Sequence, residues 1–199
     1  AGVFTVLKVV IYIFGIEFLS ETGASTWLIW AASFTLLAAS IVAITKDNLK
    51  ARLAYSTISQ LSYIVLGAAL ASSIGILGGG LHIATHAIGK ITLFMCAGAI
   101  YVATHKTQIS DMTGLGRKMP FTYAAFTIGS LSIIGLPPFA GTWSKWYLAL
   151  AAADTQTWMV IGVYMLSSLL NVWYLLSIVA KGFFAPVSYT HLTLPTNAC

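Results

Sequence analysis

Three lysines and two histidines stand where the surrounding sequence is otherwise apolar. Lys8, Lys90 and Lys145 each lie inside a long hydrophobic run. A lysine held at the centre of a bilayer costs about 2.5–3.5 kcal/mol, and such residues persist where they have a partner, a wet cavity or a task. His82, His86 and Lys90 recur at intervals of four. Each step of four turns about 40° on an α-helix, so the three share one stripe over roughly two turns. Histidine titrates near neutral pH, and a lysine taken out of water gives up its proton more readily. The stripe therefore has the chemistry to accept and release protons, with Lys90 near the middle of its run.

Each of these residues also has a plainer reading. A membrane histidine often serves as a hydrogen-bonding group between helices. His82 and His86 have metal-ligand spacing, but no Asp or Glu stands near them to complete a site, so no metal is expected. Lys145 follows Pro137-Pro138 by seven residues, in Gly-Thr-Trp-Ser-Lys-Trp-Tyr. A broken helix marks an ion pathway in transporters, whereas Trp143, Trp146 and Tyr147 would equally suit a snorkelling lysine in an interfacial belt. Residue order alone leaves both readings open. Lys8 sits about eleven residues before the end of its run, roughly half a bilayer deep. Its alternative is a structural pair with an acid from elsewhere. Glu17 and Glu21 read as loop charges. Ser56, Ser59 and Tyr63 fall near one helix face, suited to helix packing first and to lining a half-channel second.

The elements that position these residues follow from composition. The chain has 199 residues, 58% hydrophobic and only 8% charged, with a mean hydropathy of +0.89, against about 25% charged in a typical soluble domain. Apolar runs of about 20 residues recur, each long enough to cross the hydrocarbon core. The spacing predicts an all-α, polytopic transmembrane helix bundle of about six spans. They cover roughly Gly2–Leu19, Thr26–Thr45, Leu53–Ala71, Ile74–Thr104, Phe121–Ala151 and Thr157–Phe184. The fourth and fifth are too long for one straight crossing and hold breakers, Gly78-Gly79-Gly80 and Gly135-Leu136-Pro137-Pro138. Both are therefore expected to be discontinuous, most firmly at Gly135, Pro137 and Pro138, since proline removes a backbone donor and restricts its predecessor.

Charge placement tests this layout. Lys46, Lys50, Arg52, Lys106, Arg117, Lys118 and Lys181 fall in alternate loops or at span six's end, while the intervening loops hold Glu17, Glu21 and Asp154. All seven cations thus lie on one side, which the positive-inside rule makes cytoplasmic. The expected location is a bacterial inner (plasma) membrane, crossed several times. The net charge of +5 is not gathered into a patch or stripe, so nucleic acid is not an expected partner.

The chain ends are read separately. No initiator Met or signal-like segment precedes the first apolar run, and the opening Ala-Gly-Val-Phe has mid-helix character. The chain reads as a piece of a longer protein. Residues 187–199, beginning Val-Ser-Tyr-Thr-His-Leu-Thr-Leu-Pro-Thr, resemble a translated sequencing adapter. They are expected to be a non-native tail, His191 and Cys199 included, following one partial transmembrane domain over residues 1–186.

No Gly-x-x-x-x-Gly-Lys-Ser/Thr loop, cysteine cluster or paired-histidine haem arrangement is present. No cofactor is expected, and the chain reads as a transporter component that is not itself an enzyme.

The stretch from Lys46 to Gly67, with Arg52-Leu-Ala-Tyr-Ser-Thr-Ile-Ser-Gln-Leu-Ser-Tyr, resembles the antiporter-like proton-conducting subunits shared by respiratory complex I, membrane hydrogenases and Mrp-type antiporters. His82-x-x-x-His86-x-x-x-Lys90 and Gly135-Leu-Pro-Pro-Phe-Ala-Gly-Thr-Trp-Ser-Lys145 are similar to the same pattern. The resemblance covers essentially residues 1–186. It implies helices eight to thirteen of a fourteen-helix core, with Lys8 on the eighth, His86 and Lys90 on the eleventh and Lys145 on the broken twelfth. It also implies partners: other membrane subunits of a hetero-oligomeric complex, the lipid bilayer, protons and, for an Mrp-type antiporter, sodium. Some complex I members carry glutamate at the Lys145 position. Together with Asp111-Met-Thr-Gly-Leu-Gly-Arg-Lys-Met-Pro, the lysine favours the D-type subunit of Mrp antiporters; a redox-driven NADH:quinone oxidoreductase or hydrogenase subunit is the alternative. A purely structural membrane scaffold is a third reading. The fifth-helix glutamate and seventh-helix lysine of the pattern are not in this chain, so residues 1–186 alone are not expected to transport.

Overall fold

The computed structural model describes residues 2–184, and the expectations for Pro186, the 187–199 tail, His191 and Cys199 lie outside them. The described residues are helical, apart from short loops and one isolated antiparallel bridge between Asn48 and Gln108. In chain order the α-helices are α1 (Gly2–Lys8), α2 (Ile16–Thr22), α3 (Thr26–Thr45), α4 (Leu49–Ala69), α5 (Ser73–Thr104), α6 (Leu115–Lys118), α7 (Pro120–Ile134), α8 (Ala140–Asp154) and α9 (Trp158–Phe184). A π-helical segment, Val9–Phe14, continues α1, and a 3₁₀ turn, Ile109–Met112, precedes α6.

The helix ends follow local chemistry. The Asn48 side chain accepts from Ala51 N–H at 3.1 Å and caps α4, and Ser72 caps α5 through Gly75 N–H at 3.0 Å. Each satisfies a donor that the first helical turn leaves open. Pro120 opens α7 at a position where its missing N–H does no harm.

Three described helices, α3, α5 and α9, are long and apolar enough to cross a membrane. Helix α4 is equally long but carries Lys50, Arg52, Ser56, Ser59, Gln60 and Ser62. It can afford them because it packs against α3, α5, α8 and α9 and buries most of its surface. Large apolar side chains such as Trp27, Phe34, Ile88, Met95, Leu169 and Trp173 instead face outward, the inverted arrangement a bilayer accepts and water does not.

Two expectations about breaks require correction. The fourth span is not discontinuous: α5 runs unbroken through Gly78-Gly79-Gly80. Those glycines serve close packing, for a Cβ on Gly78 would stand 3.0 Å from the backbone nitrogen of Leu148 on α8. The first span, expected to be a single crossing from Gly2 to Leu19, bends by 81° at Gly15, which has φ 79° and ψ 148°. The fifth span breaks as expected, with α7 ending at Ile134 and α8 starting at Ala140.

Two apolar clusters flank the polar middle of α4. Leu49 and Leu53 join Leu93, Ile100, Phe126 and Ile178 in one, while Tyr63, Leu66 and Leu70 join Leu36, Leu148 and Val160 in the other. Ser56, Ser59 and Gln60 lie between them along the helix, each fully buried.

Candidate proton-transfer site

The stripe on α5 turns inward as its spacing requires. His82, His86 and Lys90 are 2%, 8% and 5% exposed. The Lys90 ammonium donates to the Leu53 carbonyl at 3.1 Å and to the Ser56 hydroxyl, both on α4. No carboxylate takes part, and the five acidic residues, Glu17, Glu21, Asp47, Asp111 and Asp154, lie in loops, in α2, or at the ends of α8 and the 3₁₀ turn. Lys90 is thus solvated by neutral acceptors, which serve an ammonium without pinning it as an ion pair would.

His82 bridges two helices. Its Nε2 lies 3.1 Å from Gln60 Oε1 on α4, and its Nδ1 lies 2.9 Å from Ser144 Oγ on α8. Ser144 also reaches the Gly141 carbonyl at 3.0 Å. A neutral ring donates from Nε2 to Gln60 and accepts the Ser144 hydrogen at Nδ1. An imidazolium donates to both, while the Ser144 hydrogen turns to Gly141. Either protonation state is therefore accommodated by rotating one hydroxyl, with no heavy atom moved. His86 stacks on His82 at 6.1 Å between ring centroids. Among the described residues its buried Nε2 has no hydrogen-bond partner.

Lys145 completes the row from α8. Its Nζ donates to the Ile134 carbonyl at 3.0 Å and to Ser168 Oγ on α9 at 3.2 Å. It also stands 4.8 Å from the centre of the Tyr63 ring. The Pro-Pro break explains the first contact. Within a continuing helix the donor to Ile134 would be the fourth residue on, which is Pro138 and has no N–H. The orphaned carbonyl at the negative end of α7 receives the ammonium instead. Gly135, at φ 88°, makes the turn, and a Cβ there would approach Lys145 Cδ to 2.8 Å. The ammonium points into the bundle, unlike a snorkelling lysine, while Trp143 and Trp146 face outward. A cavity of about 670 Å³ opens beside it, lined in part by Tyr63, Gly135, Tyr164 and Ser168.

The structure thus brings His82, His86, Lys90 and Lys145 together. Lys8 is not among them: it lies exposed on α1 with its Nζ 5.1 Å from the Phe4 ring centre. Ser56, Ser59 and Tyr63 do hydrogen-bond across helices, as the packing reading expects. Gln60, Ser144 and Ser168 contact the charged residues without having been singled out in the sequence. Ser168 lies beside a legible signal, for Tyr164, Ser167, Asn171 and Tyr174 form a buried polar stripe along α9. Ser167 joins Ser40 and Ser59 in a triad of hydroxyls 2.8–3.4 Å apart, tying α3, α4 and α9. Arg52, read as a loop cation, is buried and donates to the carbonyls of Ile44, Lys46 and Tyr174 and to Ser177 Oγ. It ties the C-terminal end of α3 and the first turn of α4 to the body of α9.

The chain has relatives among known proteins. The family model described as the transmembrane region of NADH:quinone oxidoreductase and Mrp antiporters matches residues 1–171. The chain belongs to that antiporter family. Among curated members, NADH-quinone oxidoreductase subunit N of Desulforudis audaxviator is 39% identical over 154 residues, covering 77% of this chain and 31% of the relative. Subunit L of the Mycobacterium tuberculosis enzyme is 36% identical over 170 residues, covering 82% and 26%. Among solved structures, a chain of the Mrp complex from Dietzia sp. DQ12-45-1b superposes with a TM-score of 0.79 at 29% identity, covering 85% of this chain and 32% of that one. A chain of the archaeal membrane-bound sulfane sulfur reductase gives 0.79 and 29%, covering 88% and 36%. This antiporter-family chain therefore spans about a quarter to a third of these relatives. It is a multi-pass, transporter-type membrane module of the kind found in Mrp and complex I assemblies.

Proposed function

We propose that this chain is part of the proton-translocating subunit of a multisubunit sodium/proton antiporter in a bacterial plasma membrane. The observation that carries this reading is the inward-facing row of Lys90, His86, His82 and Lys145, with the lysines and His82 held by neutral groups and His86 Nε2 left open. A proton leaving Lys90 Nζ is taken at the open Nε2 of His86. His82 then accepts and releases it between Gln60 and Ser144 by hydroxyl rotation. Lys145 receives it at the helix break, beside the cavity. The 6.1 Å between the histidine rings is crossed through water, which bridges polar groups at such separations. Lys8 is the entry point to this row from α1, and its exposed position in the described residues leaves the connection to be supplied by the rest of the longer protein. The partners are other membrane subunits, and the driving ion is sodium.

A second reading, a redox-driven proton pump, is favoured by one observation: the curated relatives reported above are NADH-quinone oxidoreductase subunits. The lysine at position 145 supports the antiporter. The two are separated with the completed gene and its neighbours in everted vesicles holding a respiration-driven pH gradient, followed with a pH-sensitive dye. Dye recovery on adding sodium, abolished by His86→Ala, supports the antiporter. No sodium response, together with proton pumping that begins when a quinone is supplied as electron acceptor, moves the assignment to the redox complex.

A further inference from the structure

We propose that Tyr63 is a positioning residue for Lys145, its ring face holding the ammonium at the end of the proton row. This deepens the proton-transfer reading and rests on it.

Tyr63 is 1% exposed and stands against His82 and Lys145, the last two members of the row. On one side its ring stacks with His82 at 5.5 Å and 30°. Lys145 Nζ stands 4.8 Å from the ring centre. A desolvated ammonium is attracted to the negative face of an aromatic ring, the more so where water is excluded. The hydroxyl fixes the ring in this place: it lies 3.1 Å from the Tyr164 carbonyl and 3.1 Å from Ser168 Oγ. The Tyr164 ring stacks on it at 5.0 Å, nearly parallel, and the Tyr164 hydroxyl returns a hydrogen bond to the Tyr63 carbonyl at 3.4 Å. Ser168 in turn accepts from Lys145. The ammonium is thus held by the ring directly and by the same ring's hydroxyl through one serine. The titratable groups facing Lys145 are Tyr63 from α4, His82 and His86 from α5 and Tyr164 from α9, and no carboxylate is among them. The ring face and the Ser168 hydroxyl are therefore the elements favouring the charged state of Lys145 that the helix break does not itself supply.

The test is sodium-driven or redox-driven proton transport in the assembled full-length complex, measured against pH for Tyr63→Phe, Tyr63→Met and Lys145→Ala. Phenylalanine keeps the face and is expected to transport within about twofold of wild type with an unchanged pH profile. Methionine keeps the bulk without the face; it is expected to move the alkaline limb down by about one pH unit, because the ammonium loses its cation–π partner. An unchanged limb in Tyr63→Met, or a loss in Tyr63→Phe equal to that in Tyr63→Met, overturns the inference. If Tyr63→Met does not assemble, Tyr63→Leu decides: it also lacks the aromatic face, and an unchanged alkaline limb there overturns the inference. Full transport by Lys145→Ala instead overturns the underlying proton-transfer reading, so the two failures are distinct.

Discussion

The ammonium of Lys145 lies 3.0 Å from the carbonyl oxygen of Ile134, the acceptor that the proline pair orphans. The helix break and the buried charge are therefore one device: the sequence that ends α7 makes the site that receives the lysine of α8. Substituting Pro138 with alanine returns an N–H to compete for the Ile134 carbonyl. A hydrogen bond to a charged group contributes about 1.5–3 kcal/mol, so Pro138→Ala is expected to slow transport by about tenfold without loss of assembly. Rates in vesicles, normalised to complex content, check this.

Gly135 bears a different constraint. Its φ of 88° and the 2.8 Å approach of a Cβ to Lys145 Cδ make Gly135→Ala strained in backbone and side chain alike. A residue forced into such a region costs about 1–3 kcal/mol. The expected outcome is a lower thermal unfolding midpoint for the purified complex together with reduced transport; an unchanged midpoint contradicts the close approach.

At His82 the Ser144 hydroxyl is what permits both protonation states. Ser144→Ala removes the acceptor that faces Nδ1–H of the imidazolium among the described residues, leaving a buried donor unmet at a penalty of about 1–3 kcal/mol. Transport is expected to fall by about tenfold, and Ser144→Thr, which keeps a hydroxyl, to retain most of it. Equal loss in both variants would assign Ser144 to packing alone.

Lys90 presents the same logic on α4. Ser56→Ala withdraws one of its two acceptors and leaves the Leu53 carbonyl. A several-fold slowing is expected, smaller than that of Lys90→Ala, which removes the carrier itself. A Ser56→Ala rate equal to wild type would show the hydroxyl to be dispensable.

Much of this was legible before any coordinates. The stripe at residues 82, 86 and 90 needed only the helical period, and the break at Gly135-Pro137-Pro138 only the chemistry of proline. Other features depended on neighbours. Gly78-Gly79-Gly80 reads as a breaker in isolation, yet tertiary packing against Leu148 overrides a weak local propensity. Gly15 is a lone glycine in an apolar run, and nothing in its immediate sequence announces an 81° bend. Gln60 and Ser144 become partners of His82 only when α4, α5 and α8 pack together, a long-range pairing that no local pattern encodes. The polar stripe on α9 was visible at intervals of three and four, but its uncharged residues draw less notice than lysines in a membrane. For Lys145 the order of residues left snorkelling open beside the relay that the helix break favours; the ammonium, held by the orphaned Ile134 carbonyl, points into the bundle.

The most direct test of the account is proton transport by the assembled complex carrying Lys145→Ala. The row of buried lysines and histidines, if it carries the protons, loses its terminal carrier, and transport should fall to the level of empty vesicles while subunit assembly stays normal. Transport at the wild-type rate in that variant would contradict the account and leave the lysine a structural member of a membrane scaffold.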